Sequence, residues 1–300
     1  MASLPARLQR PVVRLIGRRL AAATTAERMR RVIGRANALL APCLGVTTAP
    51  VELGGRDGLR LTPSGSATPE RAVLMFHGGG YVFGSPRMYR PLAGRVAKAA
   101  SAAVYLPSYR LAPEHPHPAA VDDGLAAYRA LIEQVPVERL AVGGDSAGGG
   151  LSVAVLQAAR RAGLPMPACL VLLSPWLDLT GDGESHTANA DSEILILPAS
   201  VERATRFYRG DVAADDPAVS PLFGDLTGLP PTLVQVSRNE LLFSDSDTFA
   251  DRAGAAGVDV DLRVADDLWH VWHLMAPVVP EARASIAEIG EFVRRHAAER

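Results

Sequence analysis

The 300-residue chain predicts an α/β fold: a mainly parallel central sheet flanked by helices. Three observations carry this. Short apolar runs of strand length alternate with longer stretches of helical periodicity. Turn residues bound the apolar runs, as expected of βαβ units. Two clusters of glycine follow apolar runs directly, one at Gly78–Gly80 and one around Ser146.

The strand candidates in order are Leu59–Leu61, Ala72–Phe76, Ala103–Leu106, Leu140–Val142, Cys169–Leu173, Thr232–Val236 and Asp259–Val264. The helix candidates between and after them are Arg90–Ala100, Ala119–Gln134, Ala147–Arg161, Ser244–Ala256 and Glu281–His296. Pro113, Pro116 and Pro118 make a rigid loop before Ala119, with Asp122 and Asp123 in the first turn of its helix. His115 and His117 in that loop have no matching ligand set, so no metal is expected. From Thr180 to Leu229 the chain is polar and rich in Gly, Asp and Pro, with one short helix near Ala199–Tyr208. It reads as an insertion over the sheet.

Composition narrows the function. The chain is 48% hydrophobic and 21% charged, and 31 basic residues against 32 acidic ones give a net charge of −1. That balance does not call for nucleic acid or another polyanion as the main partner. Cys43 and Cys169 stand far apart and outside any CxxC or Cys/His cluster, which suits reduced thiols in a cytoplasmic protein. No stretch reaches the ~20 apolar residues of a membrane span. Residues 1–35 carry nine arginines and one acid, Glu27. Arg10, Arg14, Arg18 and Arg19 interrupt any signal-peptide core. Val12, Val13, Leu15, Ile16 and Leu20 fall on or near one helical face. The preferred reading is a helix that covers the main domain; the alternative is a basic amphipathic helix touching a membrane surface.

The second glycine cluster reads Gly144-Asp145-Ser146-Ala147-Gly148, between a strand and a helix. This is G-x-S-x-G in the context that lifts a serine hydroxyl clear of the sheet. A serine needs a base, and the base an orienting carboxylate. On this architecture they follow in the order Ser, acid, His, on loops after late strands. The loop after Thr232–Val236 offers Glu240, with Asp245 and Asp247 as rivals near the start of the next helix. The loop after Asp259–Val264 offers His270, with His273 as its rival. A tetrahedral oxyanion needs preorganised N–H donors. Ala147 supplies one, and Gly78 and Gly79 are expected to supply the others. His77 braces that loop, Gly80 and Tyr81 shape the wall, and Tyr81 and Asp145 are the substrate-binding candidates.

Together these residues resemble the hormone-sensitive-lipase-like family of α/β-hydrolase esterases. His77-Gly78-Gly79-Gly80-Tyr81 is similar to its oxyanion motif, and Gly144-Asp145-Ser146-Ala147-Gly148-Gly149 to its nucleophile turn. Tyr109–Asp123 and Ser174–Thr180 are similar to two further segments of the family. The resemblance covers roughly residues 45–300. Many members carry aspartate in a D-x-L pattern where this chain has Glu240-Leu241-Leu242. Trp269-His270-Val271-Trp272-His273 is similar to the histidine segment of a glutamate-using branch and favours His270. The resemblance implies an α/β-hydrolase fold at 46–300, and a helical cap from residues 1–45 plus an insertion around 180–225. It implies a serine carboxylesterase for short- to medium-chain esters, acting through an acyl-enzyme, with no cofactor and no metal. An amide or formamide hydrolase and a non-catalytic small-molecule receptor are the alternatives. The partner is a small-molecule ester, and a homodimer is left open.

Overall fold

The computed structural model describes residues 2–37, 43–65 and 70–298. Its sheet has eight strands: β1 (Val46–Leu53), β2 (Arg56–Pro63), β3 (Arg71–Phe76), β4 (Ala102–Pro107), β5 (Leu140–Asp145), β6 (Cys169–Leu173), β7 (Thr232–Ser237) and β8 (Val260–Ala265). Their spatial order is β1-β2-β4-β3-β5-β6-β7-β8. From β4 to β8 all neighbours are parallel; β2 pairs antiparallel with β4 and with β1.

Alternation along the strands sorts the core into two layers. Leu74, Phe76, Val142 and Leu172 face one side, with Tyr128, Leu151 and Phe249. Val73, Met75, Val171 and Leu173 face the other, with Leu92, Ile289 and Val293. Adjacent residues of one strand thus serve opposite layers, as the pleat requires. The first layer is covered by α4 (Ala119–Ile132), α5 (Ala147–Arg161) and α8 (Phe243–Ala255), the second by α3 (Pro86–Ala100) and α9 (Pro280–His296). Asp123, buried on α4, is held by Arg110 at 2.8 Å and Arg56 at 3.1 Å.

β1 has no counterpart among the predicted strands, and β2 is longer than the predicted Leu59–Leu61. Val46–Leu53 is an edge strand with mostly exposed or half-buried residues, so it lacks the apolar run of a buried strand. Pro50 within it is tolerated at an edge. The hairpin turn between Leu53 and Arg56 is Gly54-Gly55, both at positive φ (59° and 78°). That is the backbone a two-residue hairpin needs.

The N-terminal segment forms α1 (Leu4–Ala21) and α2 (Ala26–Asn37); residues 38–42 of the segment assigned to the cap lie outside the described residues. Ser3 ties α1 to Glu281 at the start of α9, by N–H at 2.6 Å and Oγ at 2.8 Å. The inner face, Ala6, Val13, Gly17 and Leu20, is buried. A Cβ on Gly17 would run into the backbone of Ile194 and Leu195, so α1 lies directly on that segment. The 180–229 region carries α6 (Glu184–Ala188) and α7 (Pro198–Arg209), and α7 packs against α1. No described helix is long and apolar enough to cross a membrane.

Two helix glycines differ in what surrounds them. Gly254 on α8 is exposed with open space where a Cβ would go, whereas a Cβ on Gly290 of α9 would strike the Ala99 backbone. Gly254→Ala should therefore raise stability by about 0.5–1 kcal/mol. Gly290→Ala should lower it by about 1–3 kcal/mol. Equilibrium urea denaturation of the two variants checks both signs.

Candidate active site

Ser146 lies between β5 and α5 with φ 52° and ψ −123°. This backbone is costly for a residue with a side chain, and it persists because the surroundings hold it. The Ser146 N–H donates to the Leu173 carbonyl at 2.9 Å, and the Ser146 carbonyl accepts from the Trp176 N–H at 2.9 Å. The flanking glycines let the chain turn so sharply. A Cβ on Gly148 would collide with the Phe76 carbonyl oxygen, and one on Gly144 with Gly148 itself.

The loop after β3 is braced from beneath. His77 is buried, its Nδ1 lies 2.8 Å from the Gly78 carbonyl oxygen, and its ring stacks on Tyr109 at 4.3 Å. Tyr109 also donates to the His77 carbonyl at 2.7 Å. Burial lowers the His77 pKa to about 4, so the ring is neutral and structural.

Gly78 departs from its expected role as an oxyanion donor. Its N–H donates to Asp145 Oδ1 at 3.0 Å and is already committed. Tyr89 donates to Asp145 Oδ2 at 2.9 Å. Burial raises Asp145 to about pH 6, against these hydrogen bonds and the charge of His270. Asp145 lines the cavity while bracing the loop. Gly79 and Gly80, at φ +122° and +58°, line the cavity next to Ser146. Their N–H groups and that of Ala147 have no acceptor among the described residues. Of the expected pair Gly78 and Gly79, the N–H of Gly78 is thus already occupied. The motif alone hid this, because Asp145 and Gly78 are 67 residues apart.

Tyr81 also differs from expectation. It is buried, stacked on Tyr208 with 3.6 Å between ring centroids, and it is not among the cavity-lining residues. Trp176, tilted against Tyr81, meets the cavity instead.

The rival acids and the rival histidines lie in different surroundings. His270 Nδ1 lies 2.7 Å from Glu240 Oε2. Glu240 is fully buried, and its other oxygen accepts from Ser174 Oγ at 2.8 Å and the Ser237 N–H at 2.7 Å. Asp245 points elsewhere: its Oδ2 accepts from the N–H groups of Leu177 and Asp178 at 2.8 and 2.9 Å. His273 is a core residue, with Nε2 2.9 Å from Gln235 Oε1 and its pKa lowered to about 3 by burial. For His270, burial by itself disfavours the charged ring. The hydrogen bond and negative charge of Glu240, with Glu193 and Asp145 adding to it, outweigh this, and the pKa is raised.

Ser174 and Glu193 carry parts that sequence reading did not assign. Ser174 accepts from the Val271 N–H at 3.2 Å while donating to Glu240, so it links Glu240 to the His270 loop. Its position directly after β6 is the signal that marks it. Glu193 gathers the N–H groups of Ile194, Leu195 and Ile196 on one oxygen and shapes the turn before α7. Nothing local in the polar insertion distinguishes it.

The cavity holding Ser146 and His270 has a volume of about 120 Å3 and opens to solvent. It lies at the C-terminal ends of the parallel strands, where open α/β sheets bind their ligands. Leu20 of α1, Met29 and Ile33 of α2, and Val201 and Ala204 of α7 close it from above. No cluster of His, Cys, Asp or Glu among the described residues is arranged to hold a metal ion.

Comparison with known proteins agrees with this fold. A profile of the alpha/beta hydrolase fold matches residues 73–274. An acetyl-hydrolase of Streptomyces hygroscopicus is 46% identical over 225 residues, 75% of this chain and 75% of that protein. An esterase of Acinetobacter venetianus is 35% identical over 249 residues, covering 82% of each. Among solved structures, an esterase from the bacterial hormone-sensitive lipase family superimposes with a TM-score of 0.92 at 41% identity, over 99% of this chain and 100% of that one. With sheet order, nucleophile turn and these likenesses in agreement, the chain belongs to the hormone-sensitive-lipase-like family of α/β-hydrolase esterases.

Proposed function

We propose that this carboxylic ester hydrolase acts on short- to medium-chain acyl esters through Ser146, His270 and Glu240, by way of an acyl-enzyme. The observation that carries the reading is the 2.7 Å contact between His270 Nδ1 and the buried Glu240 carboxylate, in the cavity that Ser146 also lines.

Glu240 fixes the imidazole with its proton on Nδ1 and Nε2 free to act as base. Ser146 Oγ attacks the ester carbonyl while Nε2 takes its proton. The oxyanion is met by the N–H groups of Gly79, Gly80 and Ala147, the last at the positive end of α5. The imidazolium, stabilised by Glu240, then protonates the leaving alcohol. Water, activated by the same nitrogen, attacks the acyl-serine and releases the acid. The apolar walls from α1, α2 and α7 receive the acyl chain, and their closure over the site favours shorter chains.

Ser146→Ala should leave the fold intact by circular dichroism and bring hydrolysis of p-nitrophenyl esters below about 1% of the parent. The parent's turnover should peak between acetyl and medium chains and fall toward palmitoyl. Retained turnover in the variant removes Ser146 from the nucleophile role, and a maximum at palmitoyl overturns the chain-length reading.

Glu240→Gln separates the acid from its rival. The glutamine oxygen keeps the bonds from Ser174 and Ser237, but its amide turns a donor toward Nδ1 and enforces the wrong tautomer. Activity should fall about 10³–10⁴-fold with little change in stability. Asp245→Asn, which replaces an acceptor of two backbone N–H groups, should cost stability first and activity far less. The reverse pattern in kcat and melting temperature would move the acid to Asp245.

The pH profile follows from the direction of the His270 shift. The base works neutral, so kcat/KM falls as pH drops through the His270 pKa. Because that pKa is raised, the acid limb should have its midpoint above the ordinary histidine value of 6.5. In Glu240→Gln, burial persists without the counter-charge, so the residual activity should extend to lower pH.

A further inference from the structure

Among the described residues, six large apolar side chains are exposed, and four stand in one row on α1: Leu4 at 66%, Leu8 at 65%, Val12 at 46% and Leu15 at 49%. Their spacing of four, four and three residues keeps them on one side of the helix, opposite the buried Ala6, Val13, Gly17 and Leu20. Exposed Arg7, Arg14 and Arg18 run along one flank of this row, and exposed Arg19 joins it at the C-terminal end. The helix contains no acidic residue. None of these four arginines is ion-paired among the described residues, while Arg10 is used inward on the Asp267 carbonyl oxygen at 2.9 Å. The chain as a whole is nearly neutral, so nine arginines against one acid in its first 35 residues is a segregated charge. A row of leucines edged by unpaired guanidinium groups matches an apolar layer beneath a sheet of phosphates.

We propose that the outer face of α1 docks on an anionic phospholipid surface. The helix lies flat, Leu4, Leu8, Val12 and Leu15 enter the acyl boundary, and the arginines engage lipid phosphates, for which the planar guanidinium is suited. The opposite face of the same helix is a wall of the cavity through Leu20. Docking therefore holds the cavity at the lipid–water boundary, where amphiphilic esters concentrate.

The test is sedimentation of the full chain with vesicles, a measurement independent of the catalytic reading. One set contains phosphatidylglycerol in phosphatidylcholine, the other phosphatidylcholine alone. Binding should be confined largely to the anionic set and weaken at high salt. Leu8→Gln/Leu15→Gln should reduce it about a hundredfold, and each of Arg14→Gln and Arg18→Gln about fivefold. Hydrolysis of soluble p-nitrophenyl acetate should be unchanged in all of these variants. Absence of binding, equal binding to both vesicle types, or binding that survives the leucine substitutions overturns the proposal. A dimer of the parent chain that Leu8→Gln/Leu15→Gln turns monomeric, without vesicle binding, assigns the face to a second copy and overturns it as well.

Discussion

The start of α5 lies against the carbonyl oxygens of Phe76 and His77, and both halves of the site depend on that approach. Gly148 has no room for a side chain there, so the helix meets the end of β3 at main-chain distance. The chain then has one residue, Ser146, in which to turn from strand to helix. Its left-handed φ is held because its N–H and carbonyl are bonded to Leu173 and Trp176 on β6 and the loop beyond. The same approach brings Asp145 within reach of the Gly78 amide. The serine turn and the glycine loop are therefore one unit, and the N–H groups of Gly79, Gly80 and Ala147, the oxyanion donors proposed above, are held in place by it. Donors fixed in advance need no reorganisation when charge develops, which is where such groups contribute most.

Among the described residues, Asp145, Glu193, Glu240 and Asp245 are carboxylates buried around this unit. A buried carboxylate is tolerated only where hydrogen bonds replace its water. Asp245 is satisfied by two backbone N–H groups, Glu193 by three, and Asp145 by one N–H and a phenol. These three hold loops in shape. Glu240 divides its oxygens: one satisfied by Ser174 and Ser237, the other given to His270. That division makes it suited to orient an imidazole, since its position does not depend on the histidine it serves.

The sequence made the β-α alternation, the serine turn and the order of its partners readable, because each rests on local rules: apolar period, glycine at forced turns, loops after strands. Glu240 and His270 were favoured by their nearness to the ends of β7 and β8, and the structure has them in contact. What was not readable depends on pairs distant in sequence. Gly78 is consumed by Asp145, Tyr81 is covered by Tyr208, and Ser174 bridges Glu240 to Val271. β1 was missed because an exposed edge strand shows no continuous apolar run, and the Gly54-Gly55 turn that marks it was not read as a hairpin.

The cap was the least legible part, and its docking explains why. Arg30 of α2 reaches the carbonyl oxygens of Val82 and Ala112 and forms a two-pronged pair with Glu114. Arg203 of α7 bonds the Ala21 carbonyl, and Arg10 that of Asp267. Most of these tethers recognise main-chain shape, which leaves little trace in the sequence of the surface being gripped. Glu114 is the exception, and it falls in the proline-bounded loop whose purpose the sequence left open. A cap seated by a few arginines on backbone oxygens can exchange the side chains that line the cavity, Leu20, Met29 and Ile33, without losing its seat. The cap thus supplies the apolar wall over Ser146, while Ser146 and His270 themselves stand on loops at the strand ends.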